Sequence, residues 1–272
     1  MSAQRPLPVS SLPARLCLGL EYLFTDIDDT LTTDGMLLDS SYRALWELSR
    51  AGIKVVPVTG RPAGWCDHIA RMWPVAGVVA ENGALVYSYD RKARIMKRRR
   101  LGNSDSRGDL LRRVADRVLK EVPGAALAAD QPFRINDVAI DYCEDVPPLP
   151  TEKVDAICRI LREEGVHFKV SSIHVNFWRG DFDKLSGARA FLENDGALFS
   201  EMGEKSIFIG DSPNDEPLFE GFPHSIAVGN IRAFLHRIRQ LPEFVTEADC
   251  AAGFCEAARI ILEKRGEPFS GS

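Results

Sequence analysis

The feature that most constrains the fold of this chain is an alternation of apolar runs with amphipathic segments near its beginning. Strand-like apolar runs cover residues 22–24, 53–58 and 75–79, and helix-like segments cover residues 40–51 and about 63–72 between them. Strands that alternate with helices form right-handed βαβ units with parallel strands. We therefore predict an α/β fold with a parallel, Rossmann-like sheet.

Polar residues follow each of these three predicted strands. Asp26 and Asp28 follow the first, Thr59 and Gly60 the second, and Asn82 the third. In open parallel sheets, ligands bind beyond the carboxyl ends of the strands. The sequence thus predicts one functional site, at a single edge of the sheet.

The same alternation resumes towards the end of the chain. Residues 184–193 have a helical pattern, residues 206–209 form an apolar strand, and helical and strand segments continue to the C-terminus. Asp211 and Asp215 come shortly after this strand, so we expect them at the same edge of the sheet as Asp26.

The middle of the chain has a different character, with two helical patterns and several short strands. Residues 109–122 and 151–165 are typical of helices, and residues 135–142, 168–170 and 173–178 are typical of strands. This order predicts an α+β unit inserted into the first domain. We predict these boundaries: an N-terminal tail at 1–20, a core domain at 21–86 and 180–272, and a cap domain at 87–179.

Two acids separated by one residue at a strand end suggest phosphoryl chemistry. The Asp26 carboxylate can attack phosphorus and form an acyl-phosphate. Asp28 can then protonate the leaving oxygen and deprotonate the attacking water. Clustered carboxylates beside phosphate favour a hard divalent cation, usually Mg²⁺, and Asp211 is placed to complete its site, with Asp215 as a ligand or a supporting group.

Other strand-end residues are suited to hold the phosphate group. The Thr59 hydroxyl and the backbone N–H groups at Thr59 and Gly60 can donate to phosphate oxygens. Lys184, at the start of a predicted helix, can neutralise phosphate and the charge that develops in the transition state.

Four segments resemble, in order, the four motifs of the haloacid dehalogenase (HAD) superfamily. They are Asp26-Ile27-Asp28-Asp29-Thr30-Leu31, Thr59-Gly60-Arg61, Lys184 and Gly210-Asp211-Ser212-Pro213-Asn214-Asp215. The Asn82-Gly83-Ala84 turn, the long insert after it and Asp183-Lys184-Leu185-Ser186-Gly187 resemble the Cof-type branch with a C2B cap, subclass IIB.

The resemblance implies a role for each matching position. Asp26 would be the nucleophile and a metal ligand, and Asp28 the acid/base, binding metal through its backbone carbonyl. The phosphate would contact Thr59, Gly60, Lys184 and Asn214, and Asp211 and Asp215 would complete the metal site. Asp29 stands where many relatives carry Gly, and we assign it no role.

The resemblance also implies an activity, a cofactor and a class of substrate. It predicts a Mg²⁺-dependent phosphatase that hydrolyses a small-molecule phosphate monoester, such as a sugar phosphate or phosphorylated sugar derivative, through an aspartyl-phosphate. This branch includes sucrose-phosphate, trehalose-phosphate and mannosyl-3-phosphoglycerate phosphatases. Two alternatives remain: a phosphotransferase of the phosphomannomutase type, and a non-catalytic HAD-like binding module.

Residues of the insert are candidates for substrate contact. His174, Asn176 and Trp178 alternate on one strand, so they either line the substrate pocket or form one face of a packed sheet. Asn82 is a further candidate, because it ends the third strand. Arg134 and Arg179 are weaker candidates of the same kind.

Charge and cysteine content restrict the partners and the compartment. The net charge is −5, which disfavours general nucleic-acid binding. Residues 91–100 contain seven Lys or Arg, and we interpret this run as the solvated face of a hairpin. No apolar run is long enough to span a membrane. The six scattered cysteines predict neither a zinc site nor a disulfide framework, so we expect a cytoplasmic protein. The sequence leaves the oligomeric state open.

Overall fold

The computed structural model describes residues 5–101 and 109–269. Its main sheet has six strands in the order β1-β15-β14-β13-β2-β5, and every neighbouring pair is parallel. These strands are β1 (Leu7–Pro8), β2 (Tyr22–Thr25), β5 (Lys54–Pro57), β13 (Ser206–Gly210), β14 (Ser225–Ala227) and β15 (Phe244–Val245). The predicted parallel α/β fold is confirmed.

Helices cover both faces of this sheet because its central strands are apolar on both sides. Alternate residues of a strand point to opposite faces. Leu23 and Ile207 therefore join one buried cluster, while Phe24 and Phe208 join the other. The first cluster contains side chains of α1 (Ala14–Gly19), α2 (Asp39–Arg50), α3 (Ala63–Met72) and α9 (Cys250–Arg265), and the second contains those of α6 (Lys184–Asn194), α7 (Phe199–Met202) and α8 (Glu216–Gly221).

The prediction of an N-terminal tail at residues 1–20 is wrong for residues 7–20. Strand β1 pairs with β15, and Leu12 and Cys17 are buried in the core. The Arg265 guanidinium also donates to the Cys17 and Leu20 carbonyl oxygens. A two-residue strand and a six-residue helix carry too little periodic pattern to be recognised in a sequence, although the apolar burial that holds them is substantial.

The basic run at residues 91–100 lies in a hairpin that extends the core. Strands β6 (Val78–Ala80), β7 (Leu85–Asp90) and β8 (Ile95–Arg100) form an antiparallel sheet, and a bridge between Val58 and Val79 links it to the main sheet. β8 is mostly exposed, as expected for a solvated hairpin face. Leu85 and Tyr87 are buried in the same cluster as α3 side chains, so the hairpin packs with the core rather than with the predicted cap at 87–179.

The inserted unit has its own sheet and its own hydrophobic cluster. The sheet is antiparallel, in the order β11-β12-β10-β9, and α4 and α5 pack against it. Its elements are α4 (Asp109–Glu121), β9 (Ala126–Leu127), β10 (Val138–Asp141), α5 (Thr151–Glu163), β11 (His167–Val170) and β12 (His174–Trp178). A short antiparallel pair, β3 (Thr32–Thr33) and β4 (Met36–Leu37), projects from the core after β2.

Within the described residues, every helix is too short or too polar to cross a lipid bilayer.

Candidate active site

The core of the site lies where two neighbouring parallel strands end. Asp26 follows β2 and Asp211 follows β13, and these strands pair with Thr25 opposite Ile209. The Asp26 backbone N–H continues the ladder by donating to the Ile209 carbonyl oxygen at 2.9 Å. Because parallel strands end at the same edge, the two carboxylates meet there, as the sequence predicts.

Asp26, Asp211 and Asp215 form a buried acidic cluster. One carboxylate oxygen from each of these residues lies within 4.8 Å of the others. The Lys184 ammonium is 3.0 Å from Asp26 Oδ1 and 2.7 Å from Asp215 Oδ1. Three buried carboxylates thus share one lysine in this part of the described chain, which leaves an excess of negative charge.

This excess charge affects the acidity of the cluster. Burial raises the pKa of Asp26 to about 7; the charge of Lys184 opposes this rise and the charge of Asp215 reinforces it. Burial, together with Asp215 and Asp26, raises the pKa of Asp211 well above its usual value. A cluster that resists ionisation in this way would be stabilised by an additional cation.

Hydrogen bonds hold each of these carboxylates in position. Asp211 accepts from the Thr30 hydroxyl at 3.3 Å and from the Asn230 side-chain amide at 3.1 Å. Asp215 Oδ2 accepts from the backbone N–H groups of Asp211 and Ser212, while its Oδ1 accepts from Lys184. Asp215 therefore orients both the Asp211 loop and the lysine.

A glycine turn allows Lys184 to reach the cluster. Gly83 has φ of 105°, and a Cβ atom there would overlap the carbonyl oxygen of Asp183. Asp183 caps helix α6 by accepting from the Ser186 backbone N–H at 2.8 Å, so the helix begins at Lys184. The close approach between this turn and the start of α6 is possible only with glycine.

Asp28 and Arg61 form a bidentate ion pair beside the acidic cluster. Arg61 Nε and Nη2 donate to the two Asp28 carboxylate oxygens at 2.8 to 3.1 Å. The Arg61 guanidinium also lies over the Trp65 ring, 4.6 Å from its centroid. Fork-like contacts of this kind fix the orientation of a carboxylate.

The inserted unit reaches the same arginine through Glu144. Arg61 Nη2 donates to Glu144 Oε1 at 2.8 Å, and His174 Nε2 lies 2.9 Å from Glu144 Oε2. Partial burial raises the pKa of Glu144, but the hydrogen bonds from His174 and Arg61 outweigh it and lower that pKa to about 2. An ionic chain of Asp28, Arg61 and Glu144 therefore joins the core to the inserted unit, and His174 contacts its Glu144 end.

A second group of polar contacts, centred on Arg134 and Asp137 of the insert, also joins the insert to the core. Arg134 donates to the Gly60 carbonyl oxygen at 2.9 Å and pairs with Asp130 and Asp137. Asp137 Oδ2 also accepts from Asn176 at 3.0 Å and from Asn82 at 3.4 Å.

Glu81 also attaches the inserted unit to the core. Its carboxylate accepts from the backbone N–H groups of Ala63 in the core and of Ile135, Asn136 and Asp137 in the insert.

The space left above the nucleophile candidate is very small. A cavity of about 10 Å³, which is roughly the room for one water molecule, separates the core from the insert. Its lining includes Asp26, Asp28, Gly60, His174, Asn176 and Asn214. The insert is therefore closed over the site.

The remaining predicted site residues lie at different depths. Thr59 is fully buried, and its hydroxyl oxygen accepts from the Arg61 backbone N–H. The Asn82 side chain lies against Gly60 and donates a hydrogen bond to Asp137. Arg179 is exposed.

Of the two alternatives that the sequence leaves open, Trp178 follows the second: it packs in the core and does not line the small cavity over Asp26. Its ring stacks on Phe182, with centroids 5.6 Å apart, and belongs to the buried core cluster. One face of β12 therefore has two roles: His174 and Asn176 line the cavity, and Trp178 packs on Phe182.

Several residues of the site were not identified from the sequence. Arg61 stands inside a recognised motif, which was a usable signal. Asn230 lies three residues after the end of β14, so the rule that ligands bind beyond strand ends would have pointed to it. Glu144 and Glu81 had no such signal, because Glu144 binds Arg61 at a separation of 83 residues and Glu81 binds Ile135 at a separation of 54.

We expect the Glu144→Gln variant to be less stable than the wild type by about 1–2 kcal/mol above pH 4.5. The folded-state pKa of Glu144 is lowered from 4.5 to about 2, so its contribution is present above 4.5 and is lost as the pH falls through about 2. This loss of stability is smaller than the full pKa shift implies, because 28% of the Glu144 side chain is exposed to solvent. Urea unfolding from pH 7 to pH 2 checks this: the two curves should converge at low pH. Glu152→Gln, an exposed glutamate of the same unit, is the control, and a pH-independent deficit for Glu144→Gln would contradict the prediction.

Comparison with known proteins confirms the resemblance to the superfamily. Residues 23–108 match the family model of haloacid dehalogenase-like hydrolases. A search of curated proteins found no match.

Solved structures share the fold over most of the chain. The C-terminal domain of C. albicans trehalose-6-phosphate phosphatase has a TM-score of 0.73 at 14% identity, covering 98% of this chain and 100% of that one. Sucrose-phosphatase from Synechocystis has a TM-score of 0.60 at 16% identity, covering 89% and 97%. A phosphatase of this superfamily from Bacteroides thetaiotaomicron has a TM-score of 0.61 at 18% identity, covering 89% and 95%. The chain is therefore haloacid dehalogenase-like in sequence over residues 23–108 and in fold over most of its length.

Proposed function

We propose that this protein is a Mg²⁺-dependent phosphatase that hydrolyses a small-molecule phosphate monoester through an aspartyl-phosphate on Asp26. The observation that carries the proposal is the buried cluster of Asp26, Asp211 and Asp215 around Lys184, with Asp28 beside it. The match to a hydrolase family and the phosphatases among the proteins of the same fold support it.

The residues of the cluster fit a divalent metal ion. Asp26, Asp211 and Asp215 offer hard carboxylate oxygens, which Mg²⁺ prefers, and the raised pKa values of Asp26 and Asp211 reflect a shortage of positive charge. When bound, Mg²⁺ would neutralise these carboxylates and the phosphate oxygens. Asp26 and Asp211 would hold it, with Asp215 in support.

The reaction divides into two steps at Asp26. In the first, an Asp26 carboxylate oxygen bonds to phosphorus, the bond to the leaving oxygen breaks, and protonated Asp28 gives that oxygen its proton. In the second, the Asp28 carboxylate takes a proton from water, whose oxygen attacks phosphorus and releases Asp26. Lys184, Thr59, the Gly60 backbone and Asn214 would hold the phosphate oxygens.

Substrate entry requires the insert to move. A cavity of about 10 Å³ has no room for an ester, so the contacts of Glu144 with Arg61 must separate first. Their return would exclude bulk water during the transfer. A sugar phosphate or phosphorylated sugar derivative is the substrate class that we propose, by analogy with the sucrose- and trehalose-phosphate phosphatases of this fold.

The six cysteines all lie in the described residues and are all free. We infer from these thiols a reducing compartment, such as the cytoplasm.

The direct test is phosphate release from a panel of phosphate esters with Mg²⁺. Release of inorganic phosphate supports hydrolysis, whereas formation of an isomeric sugar phosphate without phosphate release would favour the phosphomannomutase-type alternative. A wild type as inert as Asp26→Asn across the panel would favour a non-catalytic binding module.

We expect chelation to abolish activity and to lower the thermal stability of the protein. EDTA should remove phosphate release, and excess Mg²⁺ should restore it and stabilise the fold by roughly 2–3 kcal/mol at about a hundredfold excess over Kd. Asp211→Asn, which removes one carboxylate of the cluster, should reduce the Mg²⁺-dependent shift in Tm. Calorimetry and phosphate release measure both effects, and full activity in EDTA would contradict the proposed cofactor.

A further inference from the structure

A second and much larger pocket adjoins the candidate active site. Its volume is about 410 Å³, within the roughly 300–1,000 Å³ that small-molecule sites occupy. The pocket lies between the β3–β4 projection, helix α3 and Phe133 of the inserted unit. Asp28 and Arg61 line both this pocket and the small cavity over Asp26, so the pair forms a shared wall.

The lining of the pocket is predominantly apolar and aromatic. Its walls include Trp65, Trp73, Phe133, Ile69 and Leu37. Trp65 is 43% exposed and Phe133 57% exposed, although both are large apolar side chains. Aromatic rings left open beside a catalytic group are typical of a site that receives an apolar ligand.

Among the polar side chains of the pocket, Asp28, Arg61 and Thr32 already have hydrogen-bond partners, and His68 is the remaining one. Both Asp28 carboxylate oxygens accept from Arg61, whose other partners are Glu144, Asp130 and the Trp65 ring. The Thr32 hydroxyl donates to the Ile27 carbonyl oxygen and accepts from the Asp29 backbone N–H. A bare sugar in this pocket would leave most of its hydroxyl groups without partners, which costs binding free energy.

The position of Asp28 connects this pocket to the proposed reaction. As the proposed acid, Asp28 must contact the leaving oxygen while Asp26 contacts phosphorus on the other side. The group attached to the leaving oxygen therefore starts at Asp28. Asp28 also lines the apolar pocket, whereas Asp26 is not part of its lining.

We propose that the 410 Å³ pocket binds an apolar ring on the leaving group of the phosphate ester. This inference rests on the proposed hydrolase activity. It narrows the proposed substrates to phosphate esters whose alcohol carries an apolar ring, whether or not that alcohol is derived from a sugar. Trp65 and Phe133 are then residues that determine specificity.

The test compares 2-phenylethyl phosphate with ethyl phosphate, two esters of primary alcohols that differ by the ring. For the wild type with Mg²⁺, kcat/KM should be at least about tenfold higher for the phenylethyl ester. Trp65→Ala and Phe133→Ala should each reduce this ratio by about tenfold, because each removes part of the wall that contacts the ring. Trp46→Ala, a 41% exposed tryptophan of α2 outside the pocket, is the matched control and should keep the wild-type ratio.

A binding measurement separates this inference from the proposed function. Calorimetry of Asp26→Asn with the same two esters and Mg²⁺ should give about tenfold tighter binding of the phenylethyl ester, and Trp65→Ala in that background should abolish the difference. If the wild type hydrolyses ethyl phosphate but neither hydrolyses nor binds the phenylethyl ester better, the pocket assignment is overturned. The proposed hydrolase activity would then still stand. Preferential binding without turnover of either ester would support the pocket and refute the hydrolase.

Discussion

The Asp26→Asn variant is expected to lose phosphatase activity by on the order of 10⁴-fold or more, with its fold retained. An amide of the same shape cannot attack phosphorus as a carboxylate does, so no aspartyl-phosphate can form. The substitution removes one charge from a cluster of three buried carboxylates, so thermal stability without metal should not fall. Phosphate release at saturating Mg²⁺, with circular dichroism and Tm as controls of folding, measures both effects.

A matched control distinguishes the nucleophile from a general effect of charge. Asp155→Asn changes an exposed aspartate on helix α5 and should keep wild-type activity. Acid quench of the wild type during turnover should trap one phosphate per chain, and Asp26→Asn should trap none. Residual activity of Asp26→Asn above a few per cent of the wild type would contradict the assignment.

The second large effect is expected for Lys184→Met, which leaves the acidic cluster without its lysine. Breaking a buried ion pair by removing one partner costs about 3–5 kcal/mol of folding free energy. Lys184 is 3% exposed and contacts both Asp26 and Asp215, so the metal-free protein should lose stability by this amount near pH 8. Activity should fall by at least about 10²-fold, because the phosphate loses a charge partner.

The pH dependence of the Lys184→Met deficit identifies its cause. Burial and neighbouring carboxylates raise the pKa values of Asp26 and Asp211 in the folded state, and Lys184 opposes this. A carboxyl group with a raised folded pKa destabilises the fold progressively as the pH rises from its unfolded value through the folded one. The deficit should therefore be smaller at pH 5 than at pH 8, and Mg²⁺ should reduce it. Lys120→Met, on the exposed face of α4, is the control; an equal loss there, or a deficit independent of pH, would contradict this account.

Short-range sequence patterns predict much of the sheet edge that carries Asp26 and Asp211. Helix α3 was predicted at 63–72 and occupies Ala63–Met72, and the strands before Asp26 and Asp211 were placed within one residue. These elements are recognisable because apolar periodicity is a property of neighbouring residues. Parallel pairing of β2 and β13 then brings the two aspartates together without any further information.

Other parts depended on packing between distant segments. Residues 7–20 were expected to be a tail, yet β1 pairs with β15 more than 230 residues later. The hairpin of β7 and β8 was expected in the cap, but buried Leu85 and Tyr87 hold it against the core. Trp178 shares a face with His174 and Asn176 along β12, but it packs on Phe182. Alternation along a strand determines which face of the sheet a side chain points to. The residues that it then contacts depend on how the sheet packs against the rest of the protein.

The sequence by itself determined the α/β class, the acidic edge and the Asp26, Asp211 and Lys184 positions, because strand ends and helix starts are local features that a parallel sheet aligns. The tertiary structure alone decided the ionic chain from Asp28 through Arg61 to Glu144 and the apolar pocket beside it. Those features arise where the inserted unit docks on the core. Docking is a sum of many weak contacts between residues far apart in the chain, and no single segment carries its pattern.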